Sequence, residues 1–171
     1  MKVNQAHRTV LRTILLVGEG YAEVAFLQHL KSLYVSRGCG LAITIKNAGG
    51  KGALNVVNVA RRHSLNAAYD VRAVLLDTDT DWNDKTQAVA RKTRVQVVAC
   101  NPCLESMLLA LHGDTAQGRS TMQCKQAFLA RFASPAHDAS VYAKHFSFEH
   151  MERARLVSPE LAQLLALVKA V

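Results

Sequence analysis

The chain has 171 residues, 50% hydrophobic and 20% charged, proportions that suit one globular domain with a full apolar core better than two domains or a disordered tail. Lys and Arg number 21 against 13 Asp and Glu; the resulting +8 favours a polyanionic partner, nucleic acid first, over an acidic substrate. No stretch approaches the roughly eighteen uninterrupted apolar residues of a membrane span, and Met1 to Arg8 lacks the apolar core and cleavage site of a signal peptide, so a cytoplasmic chain with no membrane partner is expected.

Thr13 to Val17 is a short apolar run rich in β-formers and closed by Gly18-Glu19-Gly20, the pattern of a buried strand and a turn. Ala22 to Tyr34 then carries Val24, Phe26, Leu27, Leu30 and Leu33 near the helical period. The pair repeats: a strand over Leu41 to Ile45, a glycine-rich turn from Asn47 to Gly52, and a helix from Ala53 to Ala67. A third strand, Arg72 to Leu76, runs into Asp77-Thr78-Asp79-Thr80-Asp81. A short helix over Thr86 to Lys92 and a fourth strand over Arg94 to Ala99 follow. Asn101-Pro102 opens a helix that reaches Leu111, with the proline placed in the first turn, where its missing N–H is harmless. After a polar loop from Gly113 to Ser120, helices are expected over Thr121 to Phe132, Val141 to His145 and Pro159 to Val168.

Strands alternating with helices through short connections imply an α/β fold with a four-stranded parallel sheet flanked by helices. A single domain over residues 1–171 is expected, its core at about 10–112 and a helical C-terminal part at about 113–171. In such sheets the working crevice lies beyond the carboxyl ends of the strands. Glu19 and Asp77 occupy that position, Asp79 shares the face of Asp77 if the extended backbone continues, and Glu105 can join from the helix after the fourth strand. Five of the 13 acids (Asp70, Asp77, Asp79, Asp81 and Asp84) fall within residues 70–84 of a basic chain. Clustered carboxylates repel and lose hydration on burial, a cost that a hard divalent cation offsets. Asp81 and Asp84, just ahead of a helix, read instead as turn or N-cap residues.

Three segments carry a family resemblance: Leu15 to Leu27 with Glu19, Gly20, Glu23 and Phe26; Val74 to Asp79 with Asp77 and Asp79; and Asn101-Pro102-Cys103-Leu104-Glu105 with the apolar run to His112. In that order they resemble the TOPRIM fold of topoisomerases, primases and OLD nucleases, and most of all the RloB-like small bacterial TOPRIM proteins associated with phage defence. Ala22 stands where that pattern usually has Thr, and Met107 where it often has an aromatic residue. The resemblance implies Mg²⁺, or Mn²⁺ in its place, held by Glu19, Asp77 and Asp79. It makes Glu23 and Glu105 further ligands or a general base.

Other residues invite chemistry less strongly. Cys100-Asn-Pro-Cys103 has C-x-x-C spacing, but Cys39 and Cys124 stand alone and do not complete a zinc site, so the cysteines read as small apolar residues. Gly49-Gly50-Lys51-Gly52 lacks P-loop spacing, which leaves Lys51 as a phosphate anchor at most. Lys85, Arg91, Lys92 and Arg94 follow the acidic loop and are candidates to guide a nucleic-acid backbone. His112 reads as a helix-end residue and Trp82 as a packing residue. The function expected is Mg²⁺-dependent hydrolysis of DNA or RNA, in phage defence if the resemblance holds. The rivals are a non-catalytic nucleic-acid-binding or regulatory subunit, with an ATPase or other defence protein as partner or as a homo-oligomer, and a phosphatase that uses Asp77 as nucleophile. Phosphatases of that kind carry D-x-D after the first strand, not the third.

Overall fold

Residues along the first strand alternate between two separate cores. The computed structural model describes residues 10–115 and 117–169. In β1 (Arg12–Gly18), Ile14 and Leu16 enter one apolar cluster while Leu15 and Val17 enter the other. β3 (Val71–Asp77) does the same, with Ala73 and Leu75 on one side and Val74 and Leu76 on the other. A side-chain period of two in a strand covered on both faces gives a continuous apolar run with two destinations. With β2 (Leu41–Asn47) and β4 (Gln96–Cys100), these strands form an all-parallel sheet in the order β2-β1-β3-β4.

The first core lies under α1 (Tyr21–Tyr34), α4 (Leu104–Ala110) and the C-terminal helices α5 (Thr121–Phe132), α6 (Ala139–His145), α7 (Phe148–Ala154) and α8 (Pro159–Val168). Phe26, Leu30, Leu108, Phe128, Tyr142, Met151 and Leu164 are all at most 1% exposed within it. The C-terminal helices therefore share one core with α1 and the sheet. α2 (Gly52–Asn66) and α3 (Asp84–Lys92) cover the other face, where Val56, Val57 and Ala60 meet Leu15 and Leu76. Trp82 packs at the edge of this second core, as expected.

Three local readings change. Pro102 lies before the helix, not in its first turn: Cys103 is the N-cap of α4, and Ser106 Oγ donates to the carbonyls of Asn101 and Cys103 at 2.7 and 2.6 Å. The fourth strand begins at Gln96, because Arg94 has a left-handed backbone (φ 55°) and cannot extend it. α7 is an additional helix, started by Ser147, whose hydroxyl accepts from His150 N–H at 3.3 Å.

Candidate functional site

In the order β2-β1-β3-β4 the chain leaves β1 first to one side and later returns on the other, so the crevice between β1 and β3 is the switch point of the sheet. The two strand ends are fastened there: Glu19 N–H donates to Leu75 C=O at 3.1 Å, and Asp77 N–H donates to Glu19 Oε2 at 3.1 Å. Gly18 lets α1 begin against that junction; a Cβ at this position would stand 2.8 Å from Glu23 Cβ and 2.9 Å from Val24 N. Only glycine fits so close an approach. In the first turn of α1, Glu23 Oε2 accepts from Gly20 N–H at 2.7 Å, which aims this carboxylate back at the crevice. From β3, Asp77 Oδ1 accepts Leu104 N–H at the start of α4 at 2.9 Å, and Glu105 follows on the same helix.

Glu19, Glu23, Asp77 and Glu105 thus line one cavity of about 790 Å³, together with Lys125 from α5. Glu23 and Glu105 are 6% exposed and Asp77 9%. Burial, then the charges of Glu23, Glu105 and Glu19, push the Asp77 carboxyl up to about 8 against the opposing bond from Leu104 N–H. Burial likewise raises Glu23, with Glu105 and Glu19 adding to it, and raises Glu19, with Asp79 and Asp81 adding to it. Burial works against the charge on Lys125, but Glu105, Asp77 and Glu23 outweigh it and hold the ammonium protonated above its ordinary range.

The donor set suits a hard divalent cation. Glu105 Oε2 is buried without a hydrogen-bond partner, an arrangement a folded protein rarely tolerates in a carboxylate. Among the described residues no three His, Cys, Asp or Glu side chains form a ready-made metal cage. Mg²⁺ does not require one, since it is commonly held by one or two carboxylates with water and phosphate oxygens filling the octahedron.

Asp79 is not drawn into this cavity. β3 ends at Asp77, where Thr78 N–H donates to the carbonyls of both Cys100 and Pro102 at 3.0 and 3.1 Å and the chain bends. The extended backbone needed for Asp77 and Asp79 to share a face stops one residue too early. Asp79 is exposed and its oxygens accept from Thr80 Oγ1 at 3.0 Å and Thr121 Oγ1 at 2.6 Å, tying α5 to the rim. Asp81 caps a helix, but a distant one: its Oδ1 accepts from Ala53 N–H at 2.5 Å and Oδ2 from Leu54 N–H at 3.3 Å, at the start of α2. Gly52, with φ +80° and the Asp81 carboxylate against it, leaves room for this cap. Asn83 is the N-cap of α3, accepting from Thr86 N–H at 3.1 Å, and Asp84 is the first residue of that helix.

The predicted basic residues do not meet the carboxylates. Arg91, Lys92 and Arg94 sit at the end of α3 and before β4, which is the amino-terminal edge of a parallel sheet and opposite to the crevice. Lys51 and Lys85 are on the correct edge, at the starts of α2 and α3, but exposed and outside the cavity. The glycine-rich turn is pinned, with Gly50 N–H donating to Glu19 C=O at 2.8 Å and Asn55 Nδ2 donating to Gly50 C=O at 2.7 Å. The cation in the site is Lys125, which no sequence motif marks. Cys100, Cys103 and Cys124 are buried beneath the site, and burial first, then the nearby carboxylates, raises the thiol of Cys103, so it stays an inert thiol. His112 follows α4 and its ring stacks on His150 at 4.2 Å.

A scan against protein-family models and searches of curated proteins and of solved structures found no match to this chain.

Proposed function

We propose that the chain is a Mg²⁺-dependent phosphodiesterase of TOPRIM type that hydrolyses nucleic acid. The observation that carries the proposal is the convergence of Glu19 from the β1–α1 turn, Glu23 from α1, Asp77 from β3 and Glu105 from α4 at the switch point, with one buried carboxylate oxygen of Glu105 left without a partner. Asp77, Glu105 and Glu19 would hold the cation, which supplies charge neutralisation at the scissile phosphate and acidifies an attacking water. Asp79, bound to Thr121, is assigned to the rim instead. Glu23, with its basicity raised by burial, takes the proton of the water as its oxygen bonds to phosphorus. Lys125 stabilises the extra negative charge on the phosphoryl oxygens as the bond to the departing oxygen breaks. A place in phage defence, alone or beside an ATPase, belongs to the same proposal and rests on the motif resemblance.

The test is cleavage of labelled DNA and RNA in Mg²⁺ and in Mn²⁺. Cleavage that EDTA stops, and that Asp77→Ala combined with Glu19→Ala reduces at least a hundredfold, is the expected result. Cleavage indifferent to both would refute the proposal. A second reading, a nucleic-acid-binding subunit without hydrolysis, draws on Lys125, whose protonated ammonium lines the same cavity as the carboxylates. Metal-independent binding with no cleavage of any substrate would decide for it.

A further inference from the structure

The carboxylates account for only one wall of the cavity. α5 and the turn after it supply much of the rest, where Phe128, Pro135, Ala136, Met122 and Leu129 give apolar lining beside the polar Lys125 and Gln126. Tyr21, first residue of α1, lines the same opening. Met122 is 70% exposed, Leu129 51% and Tyr21 78%, while Glu23, Asp77 and Glu105 below them are 6–9% exposed. Three exposed large apolar side chains are thus gathered round one deep acidic floor. A ligand with a flat apolar part and a phosphate-like anion would use both kinds of lining at once. The volume of about 790 Å³ lies within the roughly 300–1,000 Å³ usual for sites that enclose small ligands.

We infer that the site takes its phosphodiester from an unpaired strand, with one nucleobase of that strand lying on the exposed side chains of Tyr21, Met122 and Leu129 at the opening. The inference rests on the metal-and-phosphate reading for the backbone and adds what holds the base. A paired base is occupied on both faces by its neighbours and held in a stiff, wide duplex, so its phosphate reaches a recessed floor only if the base leaves the stack. An unpaired nucleotide meets no such cost, and its π-face is accepted by an aromatic or apolar surface whatever the base. The cavity is therefore selective for strand state and tolerant of sequence. Tyr21 and Leu129 act as positioning residues: they set the base, and through it the phosphate, over Asp77 and Glu105.

The test is fluorescence anisotropy of the full chain in Ca²⁺ buffer with three labelled probes of equal phosphate number: a single strand, the same strand with abasic spacers, and a blunt duplex, each as DNA and as RNA. The single strand of at least one chemistry should bind about tenfold tighter than its abasic and duplex counterparts, the scale of one base stacked on protein. Tyr21→Ala with Leu129→Ser should remove that preference; both side chains are exposed, so the core is not disturbed. Equal affinity for strand and abasic probe, or tighter binding of duplex, in both chemistries overturns the inference. Direct Mn²⁺ titration of the wild-type chain separates the two claims. Uptake without base preference overturns the inference alone, whereas base preference without uptake upholds it and overturns the metal reading.

Discussion

Replacing Asp77 with Asn should make the metal-free protein more stable, and by an amount that grows with pH. The carboxyl of Asp77 is raised from its ordinary 3.8 to about 8, first by burial and then by Glu23, Glu105 and Glu19. Between those values the folded chain holds a proton that the unfolded chain has released, so this group stabilises the fold fully only below 3.8, and its contribution is lost as pH rises toward 8. At pH 7.5 the loss approaches about 5 kcal/mol as a ceiling, at about 1.36 kcal/mol per pH unit. Asn keeps an acceptor for Leu104 N–H but buries an amide, which returns about 2 kcal/mol of that gain. A net gain of about 2–3 kcal/mol remains, equivalent to a rise of about 5–10 °C in Tm for a chain of this size. Thermal unfolding followed by circular dichroism in EDTA, from about pH 4.5 to 8.5, should show the variant melting slightly below wild type at the acid end, the two curves crossing at about pH 5, and the variant rising above wild type toward the alkaline end. Melting temperatures that stay equal throughout, or a variant less stable than wild type at alkaline pH, would refute the reasoning. Tension stored at a binding site in this way is the usual exchange of stability for function.

His112 should contribute with the opposite sign. Burial, then the charges of His150, Arg131 and His145, lowers its pKa from 6.5 to about 4, so the folded state binds fewer protons in that window and stability falls as pH drops through it. With solvent screening at the half-buried ring the loss is about 1 kcal/mol; since the Asp77 contribution is common to both proteins, urea unfolding at pH 7 and pH 4 should find it as a change of that size in the difference between wild type and His112→Gln. Gly18→Ala forces the first turn of α1 off β1 and should cost about 1–3 kcal/mol, while slowing cleavage through displaced Glu23; thermal melts and the cleavage assay check the two parts. Lys125→Met should weaken nucleic-acid binding and reduce by about 1 the slope of log affinity against log salt, read by anisotropy across a salt series.

The parallel sheet was legible because its signals are local: apolar runs of strand length, each followed by turn-forming residues, alternate with runs of helical period. Glu19, Asp77 and Glu105 were legible for the same reason, since each lies at the end of an element and the rule for open sheets places such ends together. Asp79 was misplaced because its position depends on a backbone bend fixed by two carbonyls, of Cys100 and Pro102, that lie over twenty residues away. The basic residues were misplaced because nearness along the chain is not nearness in space. α3 has nine residues and at 1.5 Å per residue spans about 14 Å, enough to carry Arg91 and Lys92 to the other edge of the sheet. Lys125 and the apolar lining left no trace in sequence: α5 reads as an ordinary amphipathic helix, and only its docking on α4 brings that face over the carboxylates.

The central claim, that this crevice is a divalent-metal site, is tested most directly by anomalous diffraction from crystals grown with Mn²⁺. The account predicts a single strong peak or a close pair bounded by the carboxylates of Asp77, Glu105 and Glu19, lost in Asp77→Asn crystals. Full Mn²⁺ soaking that leaves the crevice without a peak, with the Lys125 ammonium resting against the same carboxylates, would contradict it.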